Sequence, residues 1–493
     1  MFESAELGHK ITKERYKEEE PILREALLEA QYDLLQNPKL SVAIVIGGVD
    51  GAGKGETVNL LHAWMDPRHI HNFALDNPTD EERERPAIWR FWRVLPPKGK
   101  TGILLGSWYT IPIVKRVYGE TKDAELDQEM DQIVRFERML ASEGVLILKF
   151  WFHISKKQQK ERLKELQRRA STRWRVTEAE WEHFKLYDKF LTVSERALRR
   201  TDVAEAPWTI VAGADVRYRS LMVGKLILDA LRKRLAAPDA PPVAPHAPPI
   251  SHPIDEVHVL KALDLGLSLE KKPYSETLNR SQRRLNLLTR EPGFKDISVV
   301  VVFEGPDAAG KGGVIRRITG ALDARQYRVL PISAPTEEER AQPYLWRFWR
   351  HVPGRRKFAI FDRSWYGRVL VERVEELCSE ADWMRAYGEI NDFEEQLALH
   401  RMVLVKFWLQ ISPEEQLERF KERAETGFKR YKITPEDWRN REKWDRYERA
   451  ASDMIDRTST SIAPWTLVEA NDKRYARIKV LETLCDRIAG AIR

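Results

Sequence analysis

The chain has very little cysteine and no long apolar run. Only Cys378 and Cys485 occur among 493 residues, so a disulfide-stapled secreted fold is not expected. The longest apolar runs, such as 299–303, fall far short of the roughly 20 residues that span a bilayer. No signal-peptide pattern of positive charge, apolar stretch and cleavage site follows Met1. These absences predict a cytoplasmic protein without a membrane anchor.

A large charge excess of either sign is also lacking. The sequence has 83 Lys and Arg against 76 Asp and Glu, a formal net charge of +7. Such a mild positive excess favours an anionic partner without naming it. At 493 residues the chain is too long for one hydrophobic core, and domains of roughly 100–200 residues predict two or three of them.

One module occurs twice in the sequence. Lys54 and Lys311 lie in matching glycine-rich loops, 257 positions apart. The same offset relates four further blocks that contain tryptophan, without a gap. Blocks in such a fixed register indicate a duplicated domain. We therefore predict domains at 1–234 and 254–493, joined by a linker at 235–253 whose prolines favour an extended spacer.

Apolar runs alternate with charged, helix-like stretches in each module. In the second module the runs cover 299–303, 357–361, 402–408 and 465–469, and each leads into a polar loop. This alternation predicts an α/β fold with a parallel sheet between layers of helices. Ligands bind in such folds at the loops that leave the carboxyl ends of the strands.

The loop after the first of these strands has the composition of a phosphate-binding loop. Its glycines let backbone amides converge on phosphate oxygens, and Lys311 adds a point charge. The predicted phosphate-binding residues are Gly305, Ala308, Ala309, Gly310, Gly312 and Gly313. Gly312 stands where a Ser or Thr usually binds Mg²⁺. The metal ligands are therefore expected elsewhere, at Asp307 and at Asp362 after the next strand.

Four further groups of polar residues each allow two interpretations. Arg363, beside Asp362, either stabilises charge on a transferring phosphoryl group or forms a surface ion pair. The basic stretch 413–432 is either a closing lid or a solvated helix face with i,i+4 ion pairs. The aromatic and arginine segment 346–350 either binds a ligand or packs as an ordinary helix. The loop 471–474 either faces a nucleotide or only caps the last helix.

Taken together, the loop 305–313 and the blocks 346–350, 361–368 and 464–474 resemble the polyphosphate kinase type-two family. The resemblance covers both halves outside the linker. It implies two tandem P-loop kinase folds similar to thymidylate kinase, each with a helical lid. It also implies Mg²⁺-dependent phosphoryl transfer between inorganic polyphosphate and a nucleotide. The fused layout resembles the subclass that phosphorylates AMP to ADP.

The resemblance assigns roles to residues of the second module. It implies that the catalytic residues are Asp307, Lys311, Asp362 and Arg363, with Asp307 and Asp362 as metal ligands. The candidates for contact with polyphosphate are Arg419, Lys421, Arg423, Lys429, Arg430 and Lys432. The candidates for the nucleotide side are Glu338, Arg347, Arg350, Arg368, Asn471 and Lys473.

Three alternatives remain beside this interpretation. The first is an ATP-dependent nucleotide kinase, which shares the glycine loop. The second is a polyphosphate kinase that phosphorylates ADP. The third is a nucleic-acid-binding scaffold, which the adjacent Asp362 and Arg363 disfavour, so no nucleic-acid partner is expected.

The first module keeps part of the motif set. It retains Asp50 and Lys54, but Leu105 and Gly106 replace the carboxylate and the arginine that follow the next strand. Leucine binds no metal and donates no hydrogen bond, so we predict that this module is catalytically inactive. It is expected to persist as a packing partner in an intramolecular pseudo-dimer, which further self-association could extend.

Overall fold

The computed structural model describes residues 1–237, 259–427 and 434–493. Most of the predicted linker, and Lys429, Arg430 and Lys432, lie outside these ranges. The chain forms two compact units, described separately below. The first unit contains Met1–Pro78, the described residues from Arg90 to the linker, and Pro335–Trp346. The second contains Thr79–Trp89, the described residues from the linker to Ala334, and Arg347–Arg493. The predicted domain boundaries stay predictions, since each unit includes a short segment of the other half.

Each unit is built on a five-stranded sheet in which all neighbours are parallel. The first sheet has the order β2-β3-β1-β4-β5. Its strands are β1 (Ser41–Gly48), β2 (Ile70–Ala74), β3 (Thr101–Leu105), β4 (Val145–His153) and β5 (Trp208–Ala212). The second sheet has the equivalent order β7-β8-β6-β9-β10. Its strands are β6 (Ser298–Glu304), β7 (Tyr327–Pro331), β8 (Phe358–Asp362), β9 (Met402–Gln410) and β10 (Trp465–Glu469).

Helices cover the sheets. Those of the first half are α1 (Lys13–Gln36), α2 (Lys54–Trp64), α3 (Asp80–Arg83), α4 (Trp89–Trp92), α5 (Thr110–Tyr118), α6 (Asp123–Ser142), α7 (Lys156–Arg168), α8 (Glu178–Lys185), α9 (Tyr187–Thr201) and α10 (Val216–Ala236). Those of the second half are α11 (Lys271–Leu288), α12 (Lys311–Thr319), α13 (Glu337–Arg340), α14 (Trp346–Trp349), α15 (Val371–Val374), α16 (Glu380–Leu399), α17 (Pro413–Glu425), α18 (Pro435–Glu442), α19 (Trp444–Thr458) and α20 (Lys473–Ala491). Short 3-10 helices cover Glu3–Glu6, Pro67–His69, Arg173–Arg175, Val259–Ala262, Pro292–Asp296 and Trp365–Arg368. None of the described helices combines the length and apolarity that crossing a membrane requires.

The predicted fold class is confirmed. Every residue of β6 and β9 is buried, because helices cover both faces of a parallel sheet and its inner strands are therefore mostly apolar. The helices predicted to follow the glycine loops begin at Lys54 and Lys311. The strand β7 is the one element of the second sheet that the apolar runs did not reveal, since its burial is confined largely to Leu330.

Two short segments, Pro335–Trp346 in the first unit and Thr79–Trp89 in the second, come from the other half of the chain. They make equivalent hydrogen bonds in the two units. In the first unit the Gln342 side chain donates to the backbone oxygen of Leu95 at 3.2 Å. In the second unit Arg85, at the position equivalent to Gln342, donates to the backbone oxygen of Val352 at 2.9 Å. Trp89 adds an indole hydrogen bond to the backbone oxygen of Trp349 at 2.9 Å. A segment from the other half is therefore an integral part of each unit.

A buried ion pair lies beside each sheet. The Lys406 ammonium donates to Glu394 at 2.7 Å, to the Tyr366 hydroxyl at 2.8 Å and to the Thr458 carbonyl at 2.8 Å. Lys149 makes the equivalent three bonds in the first unit. Burial lowers the pKa of Lys406, although Glu394 opposes the shift. All three donor positions of this ammonium are used, which is what a buried cation requires.

Candidate active site

The glycine loop of the second unit joins the end of β6 to the start of α12. A Cβ at Gly305, where φ is 141°, would lie 2.4 Å from the backbone oxygen of Leu409. Gly310 caps α12 with φ 108°, so both positions require glycine. Lys311 lies across the loop and donates to the backbone oxygen of Gly305 at 2.7 Å. Burial, and then the nearby Arg363, lower the pKa of Lys311.

Asp307 is held between a cation and an amide. Arg363 donates to its Oδ1 at 2.6 Å, and Asn440 on α18 donates to its Oδ2 at 3.0 Å. Burial opposes ionisation of Asp307, but Lys311 and Arg363 outweigh it and lower the pKa of this carboxyl group. Arg363 has φ 63°, a left-handed conformation that costs a side-chain-bearing residue about 1 kcal/mol. The predicted catalytic residues Asp307, Lys311 and Arg363 thus lie together, and Asp362, the last residue of β8, directly precedes Arg363.

Glu304 is a site residue that the sequence analysis missed. It is the last residue of β6, is buried, and accepts a hydrogen bond from the Ser364 hydroxyl at 2.8 Å. Burial raises its pKa. The duplicated module contained the signal, because the equivalent position in the first half is Gly47.

A cavity of about 690 Å³, here called the basic cavity, opens over the glycine loop. The cationic side chains in its lining are Lys311, Arg316, Arg317, Arg363, Arg419, Arg423, Lys473 and Arg477, and the carboxylates are Asp307, Asp362, Glu422 and Asp437. The sequence analysis missed Arg316, Arg317 and Arg477. Their equivalents in the first half are Asn59, Leu60 and Ser220, so comparison of the two copies could have found them.

A second cavity of about 100 Å³, here called the aromatic cavity, lies on the other side of Asp307. Its apolar wall includes Trp408, Trp444 and Tyr447, and Glu304 contributes a carboxyl group. Asp307 and Arg363 line both cavities. Groups bound in the two cavities would therefore meet at this ion pair.

Arg419 anchors the loop from α17. Its side chain is buried and donates to the backbone oxygens of Ala308 at 2.8 Å, Ala470 at 2.7 Å and Asn471 at 2.8 Å. It also donates to Glu415 at 2.6 Å. Although Arg419 borders the basic cavity, its guanidinium is engaged by the protein. Its position therefore favours a structural role over the polyphosphate contact predicted for it.

The other predicted lid residues have different surroundings. Arg423 and Lys473 line the basic cavity. Lys421 is exposed, pairs with Glu418 at 3.1 Å, and is absent from the lining of either cavity. The helices α17 and α18 follow β9 in the chain, and α17 covers much of the basic stretch 413–432 that was predicted to be either a lid or a solvated helix face.

The remaining nucleotide-side candidates line neither cavity. Glu338 lies on α13, which belongs to the first unit. The buried Arg347 donates to the Ser333 backbone oxygen at 2.9 Å, Arg350 ends the aromatic segment, and Arg368 pairs with Glu372 at 3.0 Å. The Asn471 side chain accepts from the Ser412 amide at 3.0 Å. Asp472, rather than Asn471, caps α20.

The carboxylates of the basic cavity suit Mg²⁺. No group of three or more His, Cys, Asp or Glu side chains arranged to hold a metal occurs in the described ranges. Mg²⁺ is commonly bound by one or two carboxylates together with substrate phosphates and water. Asp307 and Asp362 border the same cavity, so this donor set fits. Asp307 would offer lone pairs not used by Arg363 and Asn440.

In the first unit the equivalent loop is covered by protein side chains. Arg219 on α10 donates to the backbone oxygens of Ala52 at 3.3 Å and Gly213 at 2.9 Å. It also pairs with Glu56 at 2.6 Å. A Cβ at Gly53 would lie 2.0 Å from the Arg219 guanidinium, so this group lies directly over the start of α2. Glu56 replaces a glycine and places negative charge where a phosphate would bind.

Comparisons with known proteins identify the family of the chain. The family model for polyphosphate kinase 2 matches residues 10–238 and 268–492. The chain belongs to the polyphosphate kinase 2 family. A polyphosphate:AMP phosphotransferase of Pseudomonas aeruginosa is 58% identical over 100% of this chain and 99% of its own length. One of Acinetobacter johnsonii is 38% identical over 94% of each chain.

A crystal structure of a protein assigned to polyphosphate kinase 2, from Pseudomonas aeruginosa PA01, shares the fold of this family member. It superposes with a TM-score of 0.89 at 57% identity and covers 100% of this chain and 99% of that chain. Both modules thus belong to the polyphosphate kinase 2 family, as the resemblance implied.

Proposed function

We propose that this protein transfers the terminal phosphoryl group of inorganic polyphosphate to AMP, giving ADP, and that the second unit performs the reaction. The position of Asp307 and Arg363 between the basic and the aromatic cavity carries this proposal. Relatives that match the whole chain are polyphosphate:AMP phosphotransferases. An ADP-polyphosphate phosphotransferase matches only 48% of the chain, which supports AMP rather than ADP as acceptor.

Polyphosphate fits the basic cavity by charge. Successive phosphates can meet Arg316, Arg317 and Arg477 without any contact to a base. The aromatic cavity offers Trp408, Trp444 and Tyr447 as flat faces for the adenine ring, since base–aromatic stacking is favourable for any base. The two substrates then approach each other at Asp307.

Positioning and electrostatics supply most of the rate in phosphoryl transfer. The loop amides and Lys311 hold the phosphoryl group, and an AMP phosphate oxygen attacks it in line with the leaving polyphosphate oxygen. Arg363 offsets negative charge as that bond breaks. Mg²⁺, held by Asp307 and Asp362, would neutralise charge on the phosphate oxygens. Glu304 and Ser364 fix the start of the loop that carries Arg363.

The test follows ADP formation from AMP with long-chain polyphosphate or with ATP as donor. We expect product with polyphosphate and Mg²⁺, none without the metal, and loss of turnover in Asp362→Asn. Leu105→Asp in the first unit should add little activity, because Arg219 and Glu56 still cover that loop. Transfer from ATP alone would identify an ordinary nucleotide kinase, and turnover that survives Asp362→Asn would place the chemistry elsewhere.

A further inference from the structure

The first unit contains a cavity at the position of the second unit's active site. Its volume is about 470 Å³, compared with about 100 Å³ for the aromatic cavity. Gly47 and Gly106 line it at the positions of Glu304 and Arg363. The loss of these two side chains leaves room for a ligand of the size that small-molecule sites accept.

The cavity is aromatic and does not suit an anion. Its wall includes Trp151, Tyr187, Phe190 and Trp208. Lys54 donates to the backbone oxygen of Gly48 at 2.6 Å, as Lys311 does to Gly305, and it also pairs with Asp50 at 3.3 Å, which offsets its charge. Because Gly106 replaces the arginine that accompanies Asp307, a phosphate here would face Asp50 and Asp76 without that counter-charge.

Two buried polar atoms at the cavity have no hydrogen-bond partner among the described residues. These are the Trp151 indole nitrogen and the Gln159 side-chain oxygen, on side chains that are 2% and 4% exposed. Both residues line the cavity. A buried polar group left unsatisfied costs about 1–3 kcal/mol. A ligand that pairs with both atoms removes this cost and therefore gains binding free energy.

The second unit shows why these atoms are unpaired. There the Trp408 indole donates to the Gln410 oxygen at 2.7 Å, and the Gln416 oxygen accepts from Arg441 at 3.1 Å. In the first unit His153 and Phe184 replace Gln410 and Arg441. His153 is paired with Glu6 at 2.8 Å, and phenylalanine donates no hydrogen bond. The substitutions removed both protein partners but kept the tryptophan and the glutamine.

We propose that this cavity of the first unit binds an uncharged planar heterocycle of the nucleoside class. Such a ring stacks on the aromatic wall, accepts a hydrogen bond from the Trp151 indole, and donates one to the Gln159 oxygen. A nucleobase carries both acceptor and donor groups, which matches the unpaired donor of Trp151 and the unpaired acceptor of Gln159. The site is distinct from the AMP site proposed for the second unit and takes no part in phosphoryl transfer.

The experiment is isothermal titration of the full chain, made inactive by Asp362→Asn, with adenosine, guanosine, cytidine and uridine. At least one nucleoside should bind, and Trp151→Phe should weaken it about tenfold or more while keeping the aromatic ring. Gln159→Leu should weaken it to a similar degree. The matched substitution Trp408→Phe, in the second unit, should leave this binding event unchanged.

Two results would overturn the proposal. One is that none of the four nucleosides binds at millimolar concentration. The other is that binding persists in Trp151→Phe and Gln159→Leu but is lost in Trp408→Phe, which would place it in the second unit. Circular dichroism verifies folding of each variant, and Gln159→Leu keeps the test decisive if Trp151→Phe does not fold. Failure of polyphosphate-driven ADP formation in the unmodified chain would refute the proposed reaction without affecting this measurement.

Discussion

The Arg363 guanidinium donates a 2.6 Å hydrogen bond to the Asp307 carboxylate. The two residues come from different strand ends, and Arg363 adopts φ 63° to reach its partner. In the first unit the equivalent Gly106 has a similar φ of 82°, so the backbone turn persists there without the arginine. The ion pair, rather than the turn, is what distinguishes the two units at this point.

Arg363→Ala should lower kcat by about 10²–10³-fold, the typical loss for one electrostatic stabiliser. Its removal should also raise the pKa of Asp307, because Arg363 is one of the groups that lower it. The acid limb of the pH–kcat profile should therefore move to higher pH. Steady-state kinetics at several pH values measure both effects, with the exposed Arg328→Ala as control. A drop in kcat without a shift of the acid limb would contradict the coupling to Asp307.

Substitution of the arginines of the basic cavity should weaken polyphosphate binding. We expect Arg316→Ala and Arg477→Ala to raise the KM for polyphosphate and to reduce the dependence of this KM on salt, because fewer counterions are released on binding when a cationic contact is lost. Measurements of this KM at 50 and 200 mM salt give its salt dependence in each variant and in the unmodified chain. On α17, Arg423→Ala should have a larger effect than Lys421→Ala, because Arg423 lines the cavity and Lys421 does not. Equal effects would indicate nonspecific attraction by the helix surface.

Lys406→Met should destabilise the second unit by about 3–5 kcal/mol, because Glu394 would remain as a buried unpaired charge. Urea unfolding followed by tryptophan fluorescence measures the change. The double variant Lys406→Met, Glu394→Leu should recover much of the loss, as replacement of both charges by apolar groups is often close to neutral. A single variant as stable as the unmodified chain would show that the pair contributes little.

Two glycines of the same loop should respond in opposite ways. Gly305→Ala should destabilise the unit, because the new Cβ would meet the Leu409 backbone oxygen and the φ of 141° is unfavourable for alanine. Gly312→Ala should be tolerated, since nothing lies within 4 Å of its Cβ position and alanine favours the helix by about 0.5–1 kcal/mol. Thermal unfolding of both variants provides the comparison. A destabilised Gly312→Ala would mean that the start of α12 requires glycine for another reason.

The sequence was sufficient for the fold class and for the position of the glycine loop. The offset that relates Lys54 to Lys311 revealed the duplication, and apolar runs located four strands of the second sheet. Asp307 and Lys311 were found because the geometry of a phosphate-binding loop is local, so its residues are consecutive. The strand β7 was not found, since only Leu330 is buried in it and its sequence has no continuous apolar run.

The basic residues of the site were only partly predictable. The sequence shows a charge-rich helix after β9, but it predicts the same polyphosphate contact for Arg419, Lys421 and Arg423. Helix periodicity does not tell which side chain faces a cavity, which pairs on the surface, and which turns inward to backbone oxygens. The arginines of α12 and α20 were missed because they lie outside the motifs, although the differences between the copies marked them.

The sequence by itself determined that the chain contains two copies of one α/β module and that the first copy lacks the Asp362 and Arg363 equivalents. Tertiary structure alone decided that Asp307 lies between two cavities, that Arg419 holds the loop, and that Arg219 covers the first loop. The physical reason is distance along the chain. Arg219 is far from Gly53 in sequence, and only the packing of α10 against α2 brings its guanidinium over that glycine.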